Sequence, residues 1–401
     1  MIPAIRQKFN AAFTEDKYMK YLYYFEQDFP GAIDFRIAET PLFIDALFKN
    51  KLIEAGHYIT QFILQPHFQQ LTQGALQNQA IAANETKHPE CIVIDYAIAT
   101  NEQGEVMPAL IELQGFPSLF AFEAIQNKAI RQAYQIPEGY NCYLNGLDEK
   151  SYLTLLSKLI KGQDQKHTVL LEIFPEQQKT RIDFYYTHQL IGIPIVCVSE
   201  LYVKEQCLYY KRDDIEYKIE RLYNRIVWDD LNNQSDIIKA KGALLLQDLD
   251  VEWVTHPNHF YRISKYLLPF LKHAFIPESH LLSDLTTMPI DLTQYVLKPL
   301  FSFAGQGVII DVTTDHIKEI EDPTNWILQR KVTYAPIIET PSGPAKAEIR
   351  IFYFYDEETH SYIPTNNLTR LSKGKMIGVN YNKTATWVGG SLSYFEMTDA
   401  V

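Results

Sequence analysis

This 401-residue sequence has only four cysteines, Cys91, Cys142, Cys197 and Cys207, and no two of them stand in a CxxC spacing. That removes a thiol redox motif and predicts reduced, structural thiols in a cytoplasmic protein. Positive charge is also short: lysine and arginine number 37 against 49 aspartate and glutamate, for a net charge of -12. No nucleic-acid partner is expected from such a balance, and an anionic ligand needs a local basic pocket. No apolar run approaches membrane-spanning length, and the opening "MIPAIRQKFNAAFTEDKY" turns charged too early for a signal peptide. No membrane partner is expected either. GxGxxG is missing, which removes the usual dinucleotide fingerprint. Neither HRD nor DFG occurs, which argues against a protein kinase. Repeats and low-complexity tracts are absent as well.

What is present is an ordinary globular composition, 46% apolar and 21% charged, over a length sufficient for two or three cores. Residues 1–80 carry helical spacing in "YMKYLYYFEQDF" and "PLFIDALFKNKLIEAGHYITQFIL". Thr40 before Pro41 marks a helix N-terminus there. "ECIVIDYAIATNEQGEVMPALIELQ" predicts a hairpin around "NEQGE", followed by a helix in "LFAFEAIQNKAIRQAY". "HTVLLEIF", "TRIDFYYTHQLIG" and "IPIVCVSE" then alternate strand, helix and strand, a Rossmann-like pattern. From about residue 236 onward, helices give way to the strands "YVLKPL", "GVIIDV", "WILQRKV", "AEIRIFYFY" and "MIGVNYN". That is an α+β nucleotide-domain pattern.

Two constellations carry chemistry. The loop "SFAGQG" is not a Walker A loop, because no Lys-Ser/Thr follows its last glycine. Flanked by strands, it is either a plain hairpin or a lid whose backbone N–H groups cover phosphates. Gly305 and Gly307 allow that close approach, and Lys298 enters from the preceding strand. The second constellation is the hairpin. A turn centred near Gln103–Gly104 pairs residues summing to 207, so Asp95 faces Glu112 at roughly 4.5–5.5 Å between Cβ atoms. Gln114 lies two residues on, on the same face. Facing carboxylates need compensation, by solvent at a sheet edge or by a cation such as Mg²⁺. Pro108 is a point where a bulge would shift this register. Glu348, Arg350 and Phe352 share one face of a later strand. "DFRIAETP" offers Arg36 and Glu39 as a substrate contact or, alternatively, a helix-start ion pair.

Taken in order, these segments resemble the circularly permuted ATP-grasp proteins, which include the synthetase part of glutathionylspermidine synthase. The resemblance runs from about 85 to 390, through "IDYAIATNEQGEVMPALIELQGFPS", "TVLLEIFPEQQKTRIDFYYTHQLIGIPIVCVSELYV", "HPNHFYRISKYLLPFL", "YVLKPLFSFAGQGV", "WILQRKV", "AEIRIF" and "IPTNNLTRLSKG". It implies an N-terminal helical region (1–84), metal-binding strands of the ATP-grasp domain (85–150), a Rossmann-like pre-ATP-grasp domain (151–235) and a nucleotide-binding part (236–401). It also implies ATP and Mg²⁺ as cofactors, and small-molecule acid and amine substrates joined through an acyl phosphate. Lys298, Lys331 and Lys265 would contact the nucleotide, Gln329 would sit at the adenine hinge, and Gly305 and Gly307 in the phosphate lid. Asp95, Glu112 and Gln114 would hold Mg²⁺. Arg350 would stabilise the transferring phosphoryl group with Glu348 orienting it, and Ser118 would lie near the acid substrate.

Several positions depart from the family pattern. Gln114 replaces the usual asparagine, and Val93 stands where the synthetase has a substrate arginine. The segment "GVNYNKTATWVGGSLSYF" lacks the Ser-Lys-Asp signature of the nearest permuted relatives. No papain-like amidase segment is found, so a bifunctional enzyme is not expected. Two rival readings follow: an ATP-binding protein that has lost ligation, or a partner protein using the Tyr-rich helices of residues 1–80.

Overall fold

The computed structural model describes residues 2–164, 166–302, 305–374, 377, 382 and 384–397. Most of the expected strand "MIGVNYN", and Phe303 and Ala304 of the loop, lie outside those residues. The architecture is mixed α/β, with five sheets among the described residues.

The N-terminal segment begins with helices Pro3–Ala12 and Glu15–Asp28. A helix was expected to start at Thr40. Instead β1 (Leu42–Ile44) is a strand, and the helix Ala46–Ile63 starts behind Asp45, whose side chain accepts the Phe48 N–H. Thr40 instead takes a hydrogen bond from the buried Arg6 guanidinium. Local spacing missed the strand because its partner, β18 (Ser393–Glu396), is about 350 residues away and pairs with it in parallel. On β18's other side lies β4 (Tyr140–Asn141), antiparallel. One face of the Tyr-rich helices is buried, while Met19 and Tyr23 are exposed on the other. Tyr18, Tyr21 and Phe25 are core residues, and Phe25 packs on Phe122.

The hairpin is β2 (Cys91–Thr100) and β3 (Val106–Gln114). Its turn closes because the Asn101 carboxamide accepts the Gln103 and Glu105 N–H groups, with Gly104 at φ +81°. These strands join β15 (Lys346–Asp356), β16 (Ser361–Ser372) and β17 (Gly389–Ser391) in an antiparallel sheet of order β17-β16-β15-β2-β3. One face of β15 places Ile349, Ile351 and Tyr353 in the core that also holds Leu52 and Ile59 of the Ala46–Ile63 helix. On the other face Phe352 and Phe354 pack on Phe120 of the helix Phe120–Ala133, while Glu348 and Arg350 continue the same face into polar surroundings.

A second sheet is parallel. β5 (Thr168–Glu172), the helix Arg181–Ile191 with Gly192 as its left-handed cap, and β6 (Ile195–Cys197) form the expected β-α-β unit. β10 (Arg221–Asn224) and β11 (Glu252–Val254) complete the order β11-β10-β5-β6. The sheet thus takes in a strand beyond the expected boundary at 235. Between β6 and β10 runs a meander of β7 (Tyr202–Lys204), β8 (Cys207–Arg212) and β9 (Ile215–Ile219).

A third, antiparallel sheet has β14 (Trp326–Arg330) between β12 (Ser279–Leu281) and β13 (Tyr295–Pro299). "GVIIDV" was expected as a strand. It forms only one bridge, Ile309 opposite Leu297. The chain returns along β13 without building a ladder.

Candidate active site

The site begins at the register of β2 and β3. Asp95 pairs with Glu112 and Val93 with Gln114, as the sum of 207 requires. Nearer the turn the pairs are one lower, Thr100 with Val106, and the difference is absorbed by an extra residue, Ile111, between Leu110 and Glu112. The bulge lies there and not at Pro108. It frees the Ile111 carbonyl to accept from Lys298 Nζ at 3.4 Å.

Asp95 is almost wholly buried, with 1% of its surface exposed, and faces Arg350 on β15. Arg350 grips it with two parallel bonds, Nε to Oδ1 at 2.6 Å and Nη2 to Oδ2 at 2.7 Å. Arg370, on β16, adds Nη2 to Oδ2 at 2.7 Å. Burial opposes the Asp95 charge, but the two guanidinium groups together outweigh it and hold its pKa below the ordinary value. Glu348 was expected to orient Arg350. It does not: Arg370 Nη2 meets it at 2.8 Å and the Tyr334 hydroxyl donates to its other oxygen. Register explains this, since Glu348 pairs with Arg370 and Arg350 pairs with Asp95. Glu112 accepts from Gln114 Nε2 at 3.0 Å and lies 3.8 Å from Arg350.

Ser118 is buried just beyond β3. Its hydroxyl accepts from Arg350 Nη1 at 3.3 Å, and its carbonyl accepts from Arg225 Nη1 at 3.0 Å. Arg225 itself lies between the rings of Phe116 and Phe184.

Opposite this cluster stands the β13–β14 sheet. Lys298 and Gln329 project together, and Lys298 Nζ donates to the Gln329 side-chain oxygen. The Gln329 side chain is buried, and its Nε2 has no partner among the described residues. A cavity of about 200 Å³ opens between the two sheets. Lys265, Lys298, Gly305, Gln329, Lys331, Glu112, Glu348 and Arg370 are among its lining residues. Burial depresses the Lys298 pKa to about 8, assisted by the like charge of Lys265 and opposed by Glu112 and Glu348. Lys265 is also depressed by burial, and donates to the carbonyls of Leu300 and Ser302 at 3.3 and 2.6 Å. It therefore anchors the base of the 302–307 loop. Gly307 adopts φ +73°, and a Cβ there would meet Pro299 at 2.8 Å. Gly305 is also left-handed. Lys331 Nζ lies 3.4 Å from Asp311 at the outer rim.

The structure thus gathers Lys298, Lys265, Gln329, Lys331 and Gly305 around one cavity with Glu112. Asp95, Arg350 and Ser118 lie in the adjoining buried network. Arg36 and Glu39 form an ion pair with each other, but in the irregular chain before β1 and not at a helix start. Three participants were missed: Arg370, Tyr334 and Arg225. Arg370 had a signal, an arginine in a strand pattern whose partner strand carries unpaired acids. Tyr334 had none, because it follows β14 in irregular chain.

Asp95, Glu112 and Gln114 have the hard oxygen atoms Mg²⁺ prefers, but they do not fit that ion in this arrangement. Both Asp95 oxygens are taken by arginine, and the charge the facing carboxylates needed is already supplied.

No family model matches the sequence, and no curated protein matches it. Among solved structures, the chain is similar to a glutathione synthetase-like effector from Globodera pallida in its apo form. The two share 12% sequence identity and a TM-score of 0.54, over 95% of this chain and 97% of that one. At that identity the likeness concerns the fold alone: this chain has a glutathione synthetase-like fold.

Proposed function

We propose that the cavity between β13–β14 and the central sheet binds ATP, and that the protein is an ATP-dependent carboxylate–amine ligase. The observation carrying this reading is the convergence of Lys298, Lys265 and Arg370 with the buried, unpartnered Gln329 Nε2 on one cavity. In an otherwise acidic chain, such a concentration of cations suits a polyphosphate. The Gln329 amide suits a polar base edge.

In this mechanism an oxygen of the acid substrate attacks the γ-phosphorus, and the bond to the bridging oxygen breaks, releasing ADP. An amine then attacks the acyl carbon, expels phosphate and loses a proton. No protein nucleophile is required, so the work of the chain is positioning and charge neutralisation. Lys298 and Arg370 hold phosphate oxygens. Lys265 fixes the loop that covers them. Ser118, held by Arg350 and Arg225, marks the acid side of the site.

A second reading, nucleotide binding without ligation, is favoured by one observation. Arg350 spends two donors on Asp95 and so offers fewer to a transferring phosphoryl group. Calorimetry with ATP, followed by an ADP-release screen of amino acids, thiol peptides and polyamines, separates the two. Turnover with one acid–amine pair supports the ligase, and tight ATP binding without turnover supports the second reading. Lys298→Ala is expected to weaken ATP binding at least about tenfold, because it removes a charge-assisted contact of roughly 1.5–3 kcal/mol. Unchanged affinity in a folded variant removes Lys298 from the site.

A further inference from the structure

The place where a nucleotide-bound cation was expected is already filled with positive charge. Asp95 is the carboxylate at the centre of the sheet face, and each of its oxygens lies 2.6–2.7 Å from a guanidinium nitrogen. Glu348, the nearest acid on β15, is likewise taken by Arg370 and Tyr334. Around the cavity and its floor, Lys265, Lys298, Arg330, Lys331, Arg350 and Arg370 stand against Asp95, Glu112 and Glu348, with Arg330 and Lys331 also meeting Glu102 and Asp311 at the rim. Cations outnumber carboxylates at the cavity before any ligand arrives.

A metal site has the opposite signature. Its carboxylates are in excess and its oxygens are free, and Mg²⁺ requires them at roughly 2.0–2.1 Å in near-octahedral order. Guanidinium groups keep their proton, so they cannot step aside by titration. A cation at Asp95 would have to displace at least one arginine and leave it near a second positive charge.

We propose that this site takes the phosphates of a nucleoside triphosphate directly on side-chain cations, with the Arg350–Asp95–Arg370 clamp standing in for a divalent metal. The inference rests on the reading of the cavity as a nucleotide site, but its claim about Asp95 is independent of that reading. In this arrangement Asp95 is a positioning residue. It holds two guanidinium groups at the inner end of the cavity, and Arg370, which lines that cavity, presents a charge to the terminal phosphates. Arg370 Nη2 bridges Asp95 and Glu348, and the Tyr334 hydroxyl holds Glu348 by its other oxygen.

The test uses the full chain and two probes. ATP is titrated by calorimetry with EDTA and again with saturating Mg²⁺. Affinities that agree within about threefold support the proposal, and tightening by Mg²⁺ of about tenfold or more overturns it. Mn²⁺ alone is titrated by electron paramagnetic resonance. Absence of bound Mn²⁺ supports the clamp, whereas bound Mn²⁺ that disappears in Asp95→Asn overturns it. If ATP binds under neither condition, the nucleotide reading fails and the phosphate role of Arg370 fails with it, while the Mn²⁺ arm still decides whether Asp95 holds a cation. Arg370→Gln is expected to lose about tenfold in metal-free ATP affinity and to gain Mn²⁺ binding at the freed carboxylate. Unchanged ATP affinity in Arg370→Gln overturns the role of Arg370. Should that variant unfold, Arg370→Lys keeps the charge and loses only the fork, so it should bind ATP with an intermediate affinity. Wild-type affinity with Mn²⁺ dependence in Arg370→Lys overturns the proposal.

Discussion

Lys298 shows how much one side chain's surroundings decide. On sequence it is a lysine before a glycine loop. In the fold it is drawn against Gln329 and the Ile111 carbonyl, and burial lowers its pKa to about 8. Bound phosphate stabilises the charged form and raises that value. Below pH 8 the ammonium is already formed, and binding takes up little proton from this group. Above pH 8 the free protein must gain a proton to bind, so ATP affinity falls as pH rises. Calorimetry above pH 8 in buffers of different ionisation enthalpy should therefore show proton uptake that is absent in Lys298→Ala. Equal uptake in both proteins places the titrating group elsewhere.

At the scale of elements, the sheet face that carries the site is held from behind by the helix Ala46–Ile63. The contact is close because of Gly56. A Cβ there would lie 1.8 Å from the Tyr353 hydroxyl and 2.5 Å from its Cζ. Alanine gains about 1 kcal/mol of helix propensity over glycine, but forced overpacking costs about 1–3 kcal/mol or more. Gly56→Ala is therefore expected to lower Tm, as read by thermal denaturation. Tyr353→Phe alone should be near neutral, since the hydroxyl is buried without a partner among the described residues. In the Tyr353→Phe background Gly56→Ala should cost less, though not nothing, because the Cζ contact remains. Equal costs in both backgrounds would mean that the hydroxyl is not what limits the approach.

Across the whole molecule, several acids sit where burial disfavours their charge. Burial raises Glu123 well above the carboxylate range, with Asp183 adding to the effect. It raises Asp183 to about 6 against the pull of Arg225, and Glu172 to about 8. Unfolded carboxyls titrate near 4. A raised folded pKa means that the native state binds more protons than the unfolded chain between those values. This stability is fully present below the unfolded pKa and is lost as pH rises through the folded pKa. Asp95 acts in the opposite direction, but its depressed pKa titrates below this window. These acids lower Tm as pH rises from 5 to 8, while His88, His256 and His259, whose pKa values burial lowers, raise Tm up to about pH 6.5. Between about pH 6.5 and pH 8 Tm is therefore expected to fall, as read by calorimetry, and a Tm that rises there contradicts the buried, protonated state of Glu123 and Glu172. Glu172→Gln and Asp183→Asn should each flatten the slope.

The sequence by itself determined the elements whose signals are local. Hydrophobic alternation and the Asn101–Gly104 turn were enough for the hairpin and for the Asp95–Glu112 pairing. The "HTVLLEIF" to "IPIVCVSE" alternation was enough for the parallel unit. The placing of Lys298 on the strand before the Gly305–Gly307 loop was also legible, because period two and loop chemistry act within a few residues, whereas Gln329, Lys331 and Lys265 were joined to it only by the family resemblance. Tertiary structure decided what these groups touch. β1 exists only because β18 pairs with it across the chain. The carboxylates at 95 and 112 asked for a compensating charge, and local patterning could not say which. Arg350 and Arg370 answered from strands more than 250 residues from Asp95, because the sheet order sets β15 beside β2 and β16 one strand beyond it. Coulomb interactions act over ångströms in space, whatever the distance along the chain.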